Sequence, residues 1–262
     1  MRSRIVAVSA LLVSVALLVA GCSFGDDDTS AGATGTDGTE SVTLTVFAAA
    51  SLKKSFTDLA AQFSQDNPNV EVRFSFDGSQ ALVTQIQQGA GADVIATADE
   101  KNMGKLGGAV SDPQIFATNI LTIVTQPGNP KNIQSLADLT KPGVSTVICA
   151  ADVPCGSATA KVEENTGIDI RPVSEETAVT GVLTKVQTGQ ADAGLVYVTD
   201  ATGAGDTVTA VSDPAFASVV NAYPIGVVAA SKNKQAAQQF VDMVLGAQGA
   251  ALLESMGFGP AN

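Results

Sequence analysis

From Val42 onward the chain alternates short β-rich runs with amphipathic helical segments, and few folds accept that order. Residues 42–47 read as a buried strand. Leu52, Phe56, Leu59, Ala60 and Phe63 then recur at spacings of three and four, the period of one helix face, with Ser51 in the N-cap position. Asn67-Pro68-Asn69 stops that helix. A strand over 70–76 follows, then a helix opened by Ser79, carrying Leu82, Val83 and Ile86 and closed by Gly89, then a strand over 93–96. A βαβαβ order implies parallel strands joined by right-handed crossovers. A second block starts near Leu121, with a strand over 144–149, helices near 156–165 and 178–188, and a strand over 193–198. Beyond 219–223 and Pro224, a strand over 225–230 precedes helices at 235–245 and 247–256, which periodicity alone assigns to neither block. The expectation is an α/β protein of two units, about a hundred residues each.

The segment before Val42 has a different character. Arg2 and Arg4 precede an uncharged apolar run from Ile5 to Ala20, too short for a comfortable permanent span, which ends in Val19-Ala20-Gly21-Cys22. Residues 1–21 read as a secretory signal peptide. A cysteine directly after small residues resembles a bacterial lipobox, with Cys22 becoming the lipidated first residue; an ordinary signal with an incidental cysteine is the alternative. Residues 22–41 are then the lipidated N-terminus and a flexible tether of Gly, Ser, Thr, Ala and Asp, reaching roughly 24 Å. This places the protein outside the cell membrane, held to its outer face.

Cleavage there removes two arginines and no acid, so the formal charge of -12 becomes -14. An acidic surface argues against nucleic acid as a partner. It also repels anions at long range, so an anion site here must win through short-range hydrogen bonds. Cys149 and Cys155, close in sequence in an exported chain, are expected as a disulfide worth roughly 2 kcal/mol. A metal site is disfavoured, because the chain has no histidine.

Five stretches sit where strands should hand over to helices: 48–51, 76–79, 153–156, 178–181 and 194–197. They offer serine hydroxyls, bare backbone and one tyrosine, with hardly any lysine or arginine. Ser51 and Ser79 in N-cap positions ordinarily satisfy their own helices. Two such junctions from successive βα units, however, bring free N–H groups and positive dipole ends together at one edge of a sheet. Cys155 and Val179 lie at further helix starts, where only the backbone N–H is needed. Tyr197 ends an apolar strand and can bury its ring while its hydroxyl faces a cleft. Asp77 reads as a solvated turn residue, and Tyr223-Pro224 as a crossover between the units rather than a ligand contact. Such a set surrounds an anion with neutral dipoles and performs no acid–base chemistry.

The residues Val46-Phe47-Ala48-Ala49-Ala50-Ser51-Leu52 with Asp58-Leu59, then 76–82 with Gln85-Ile86 and Gly89, resemble the opening of periplasmic molybdate-binding proteins, the receptors of ABC-type molybdate importers. The likeness continues through 92–94, 153–156, 181–183, 195–197, Tyr223-Pro224 and Gly257-Phe258. It implies a two-lobed type II periplasmic binding fold with mostly parallel sheets and a ligand cleft between the lobes. The first lobe would comprise 42–121 and 223–262, the second 122–222. Carried across, the ligand contacts fall on Ser51 and Ser79 by hydroxyl and backbone, Cys155 and Val179 by backbone N–H, and Tyr197 by phenol. The family often has alanine where Cys155 stands, a change that a backbone contact survives.

The resemblance implies a monomeric receptor that captures molybdate, and tungstate with it, for an ABC-type permease. Molybdenum enters only as the centre of the oxyanion, without protein–metal ligands, and no cofactor is expected. A receptor for sulfate or phosphate is the alternative in the same class. A secreted hydrolase using one of the serines would need a base, and without histidine only Lys53 or Lys54 is near Ser51 in sequence. A purely structural lipoprotein is the third reading.

Overall fold

A computed structural model of the protein describes residues 41–261; the signal peptide at 1–21, Cys22 and all but the last residue of the tether lie outside the described residues. Strand β1 (Val42–Ala49) leads through a 3-10 turn (Ala50–Leu52) into α1 (Lys53–Asp66). There follow β2 (Val70–Asp77), α2 (Ser79–Gln87), β3 (Val94–Ala96), α3 (Glu100–Gly104) and β4 (Val110–Asn119). The next group is β5 (Leu121–Thr125), β6 (Thr146–Cys149), α4 (Pro154–Thr166), β7 (Ser174–Glu176), α5 (Val179–Gln187), β8 (Ala193–Tyr197), α6 (Val198–Ala204) and β9 (Thr209–Val211). β10 (Asn221–Val228), α7 (Lys234–Leu245) and α8 (Ala247–Ser255) complete the chain.

Two five-stranded sheets result, in the orders β2-β1-β3-β10-β4 and β7-β6-β8-β5-β9. Each sheet with its flanking helices forms a lobe. The sheets are mixed rather than mostly parallel. β1 runs parallel to β2 and β3, and β6 to β7 and β8, whereas β10 and β5 run antiparallel to their other neighbours. The antiparallel pairs come largely from strands that carry the chain between lobes. β4 becomes β5 after the single residue Ile120, and β10 returns beside β4 with Asn221 opposite Asn119. Both crossings therefore lie side by side.

The apolar face read on α1 is buried: Phe56, Leu59, Ala60 and Phe63 face the first sheet. Phe240 of α7 meets Phe56 and Phe63 edge-on, with ring centres 6.0 and 5.4 Å apart. α7 packs on β1, β4 and β10, which fixes the terminal helices on the first lobe. Fully burying each such ring contributes about 1.5–3 kcal/mol, and each aromatic pair about 0.5–1.5 kcal/mol more. Strand β4 escapes a pattern reading because Pro113 interrupts it and Asp112 has φ 39°. It can exist because it is the outer strand of its sheet, where a proline's missing N–H breaks no ladder.

Candidate functional site

The C-terminal ends of β1 and β2 from the first lobe face those of β6 and β8 from the second. Between them Ala49, Ala50, Ser51, Gly78, Ser79 and Ala98 meet Val153, Pro154, Cys155, Val179 and Tyr197 around a cavity of about 10 Å³, the space of one water-sized occupant. All five residues singled out from the sequence thus line one cavity. None of these lining residues carries a charged side chain.

Each donor has its own local origin. Pro154 takes the first position of α4, where its missing N–H costs nothing, so the Cys155 N–H is the first free donor of that helix. Cys149 and Cys155 are joined by a disulfide with Cα atoms 5.7 Å apart, which ties the end of β6 to the start of α4. Val179 is the first residue of α5, buried, with its N–H outside the intrahelical ladder.

The serines act differently from the N-caps expected of them. Ser51 lies inside the 3-10 turn whose N-cap is Ala49, and Ser79 is the first residue of α2, whose N-cap is Gly78. Their hydroxyls are engaged across the fold instead. Ser51 Oγ shares a hydrogen bond of 3.1 Å with the Tyr223 hydroxyl, and Ser79 Oγ accepts from the Ala98 N–H at 3.0 Å. Gly78 is required by close approach of the lobes. A Cβ there would stand 2.3 Å from the Thr177 carbonyl oxygen, which already accepts from Gln80 Nε2 at 2.8 Å.

Tyr197 is buried, and its phenol oxygen accepts from Asn221 Nδ2 at 2.9 Å. Burial foremost, then Tyr223, Asp99 and Asp200, push its pKa well above the usual phenol range, so it remains a neutral donor. Its ring meets that of Tyr223 edge-on at 5.9 Å, and Tyr223 is held in turn by Phe116 and Phe258. Tyr223 is therefore more than a crossover marker: it braces both Ser51 and Tyr197. Asn221 and Ala98 were also missed. The sequence signal for Asn221 was a lone amide within the apolar run 219–223.

Asp77 is half-buried and turns back to accept from the Gly78 N–H at 2.7 Å, and it does not line the cavity. Lys53 and Lys54 are exposed, and Lys54 pairs with Asp58 at 3.2 Å. These lysines, Asp58 and Asp200 line a larger groove of about 400 Å³ that shares Ala50 and Ser51 with the cavity. Burial pushes the Asp200 carboxyl up to about 7, against the lowering effect of the Tyr197 N–H that it accepts at 3.0 Å. Among the described residues, no cluster of histidine, cysteine, aspartate and glutamate could hold a metal ion, and no helix is long and apolar enough to cross a membrane.

Residues 44–259 match the bacterial extracellular solute-binding protein family. The molybdate-binding protein ModA of Mycobacterium tuberculosis is 49% identical over 260 residues, covering 97% of this chain and 98% of that protein. Among solved structures, the periplasmic molybdate-binding protein of Azotobacter vinelandii superposes with a TM-score of 0.72 at 22% identity, covering 82% of this chain and 98% of the other. The sulfate-binding protein SubI of Mycobacterium tuberculosis gives 0.73 at 20% identity, covering 84% and 88%. These two likenesses show the fold and leave the choice of anion to the site.

Proposed function

The chain belongs to the bacterial extracellular solute-binding protein family, and from that premise we propose that it captures molybdate, and tungstate with it, outside the cell and delivers it to an ABC-type permease. The observation that carries the reading is a cavity between the lobes, lined by Ser51, Ser79, Cys155, Val179 and Tyr197 and by no charged side chain. Hydroxyls and helix-start N–H groups are neutral donors. A dianion held by them needs no buried countercharge, and each charge-assisted bond contributes about 1.5–3 kcal/mol. The 49% identity to a molybdate-binding protein supports molybdate over sulfate.

An ion of four oxygens exceeds the present cavity, so it seats with the lobes slightly parted at the two adjacent crossings. The protein's role is binding rather than catalysis: Ser51 bonds to a phenol, and the two lysines that follow it are exposed, Lys54 pairing with Asp58. In this reading Cys22 carries the lipid that keeps a monomeric receptor near its permease.

Calorimetric titration of the delipidated protein with molybdate, tungstate, sulfate and phosphate tests the proposal. Molybdate and tungstate should bind one per chain at micromolar concentrations or below, with sulfate and phosphate far weaker. Sulfate binding as tightly as molybdate would overturn the assignment.

A further inference from the structure

One of the hydroxyl donors, Tyr197, is oriented by an amide that lies outside the cavity. Asn221 stands at the first position of β10, where the chain re-enters the first sheet. Its Nδ2 donates to the Ala98 carbonyl at 2.9 Å and to the Tyr197 hydroxyl oxygen at 2.9 Å. A carbonyl oxygen can only accept, so the group facing Ala98 must be the NH2 end of the amide. Both amide hydrogens are then committed. The Tyr197 oxygen already accepts from Asn221, so its one hydrogen is directed away from that amide, toward the Tyr223 hydroxyl or an anion in the cavity. Ala98 itself serves the other lobe's wall through its N–H. Its N–H can only donate, so Ser79 Oγ accepts at 3.0 Å and the serine hydrogen is likewise left over. The chain of bonds runs Ser79, Ala98, Asn221, Tyr197, and all four groups are buried.

We propose that Asn221 is a positioning residue that sets the hydrogen-bond polarity of Tyr197, committing its phenol to donate to the anion. The inference rests on the molybdate reading above and adds a basis for selectivity. A phenol oxygen that already accepts from a fixed amide is biased to present its hydrogen to the anion. Such a donor suits an oxyanion whose oxygens all accept better than one bearing an O–H, such as hydrogen phosphate. Asn119 makes a parallel contact from the neighbouring strand, donating from Nδ2 to Thr199 Oγ1 at 2.8 Å, so both crossings grip the junction of β8 and α6.

The test replaces the amide by its isostere. In Asn221→Asp a carboxylate faces Tyr197 and can only accept, so the phenol hydrogen turns away from the cavity. Molybdate affinity, read by calorimetry, should fall about ten- to a hundredfold. The same substitution made in Tyr197→Phe should cost less than about threefold, because the group it misdirects is gone. A merely structural asparagine would cost the same in both backgrounds. Asn221→Ser supplies a second, smaller variant should the aspartate not fold. The parent offers a further readout, since the chain has two tyrosines and no tryptophan. Molybdate should perturb the near-ultraviolet tyrosine absorption of the parent, and this difference spectrum should vanish in Tyr197→Phe and change in Asn221→Asp. Parent binding combined with unchanged affinity and spectrum in Asn221→Asp overturns the inference alone. A parent that fails to bind molybdate overturns the functional reading, and this inference with it.

Discussion

Replacing Gly156 by alanine should disable the contribution of the α4 start to the cavity without changing the chemistry of any proposed donor. Gly156 is the third residue of α4, directly after Cys155, and is buried under the loop that the disulfide closes. A Cβ there would stand 1.9 Å from the Ala150 carbonyl oxygen, 2.5 Å from its carbonyl carbon and 2.6 Å from the Cys149 oxygen. All three are backbone atoms, so no side chain can swing aside, and either the loop or the helix start must retreat by about 1 Å. Overpacking of this kind costs about 1–3 kcal/mol, and a disulfide-tied loop favours the upper end. At about 3 kcal/mol the unliganded Tm falls by roughly 6–12 °C for a chain of this size. The same retreat misplaces the Cys155 N–H, and losing one charge-assisted bond weakens molybdate binding roughly ten- to a hundredfold. Differential scanning calorimetry and isothermal titration give both quantities. Gly104→Ala is the control. It lies in α3 with nothing within 4 Å of the added Cβ, so it should leave binding unchanged and stabilise by up to about 1 kcal/mol. If Gly156→Ala melts and binds like the parent, the close approach of that helix start to its loop is not what holds the donor.

Replacing Cys149 and Cys155 together by serine should cost about 2 kcal/mol of stability, read as a Tm lowered by roughly 4–8 °C, while affinity falls less than tenfold because the proposed contact is main chain. Coincident melts of oxidised and reduced parent would contradict this. Asp200 titrates at about 7 in the fold against an ordinary 3.8, so the folded protein holds more protons than the unfolded chain between about pH 4 and 7. Stability therefore declines as pH rises through that window and levels off above it, by at most about 4 kcal/mol and less for a half-buried carboxyl. Asp200→Asn should flatten this dependence in thermal melts at stepped pH. An arriving dianion further favours the protonated form, so molybdate binding near pH 7–8 should take up protons and weaken as pH rises. Titrations in buffers of different ionisation enthalpy measure that uptake, and zero uptake in the parent would refute the coupling. Lys53, Lys54 and Asp58 face the same groove, so Asp200→Asn is needed to assign the proton.

The elements legible in the sequence were those whose signal is local. Phe56, Leu59, Ala60 and Phe63 announce α1 through their spacing, and strand-to-helix junctions could be located because parallel βα units place them on one edge. Ser51, Ser79, Cys155, Val179 and Tyr197 were legible as cavity-lining residues for that reason. Local signals misled at β4, where Pro113 reads as a breaker but sits on an outer strand. They also failed at α6, a seven-residue helix with two threonines and a glycine, secured by the Asp200 carboxylate on the Tyr197 N–H and by Asn119 on Thr199. The partners of the serine hydroxyls within the fold could not be read. Each stands at a helix start, where capping is the ordinary use, yet Ser51 finds Tyr223 across a separation of 172 residues. Asn221 reaches Ala98 over 123 residues. Partners so distant leave no periodicity, and only the two adjacent crossings bring them together.

A crystal of the molybdate complex, with molybdenum located by its anomalous scattering, tests the central claim most directly. One molybdenum per chain is expected between Ser51, Ser79, Cys155, Val179 and Tyr197, with its oxygens accepting from those hydroxyls and N–H groups and no protein atom bonded to the metal. Molybdenum found elsewhere, such as in the groove lined by Lys53, Lys54 and Asp200, or coordinated directly by a side chain, would contradict it.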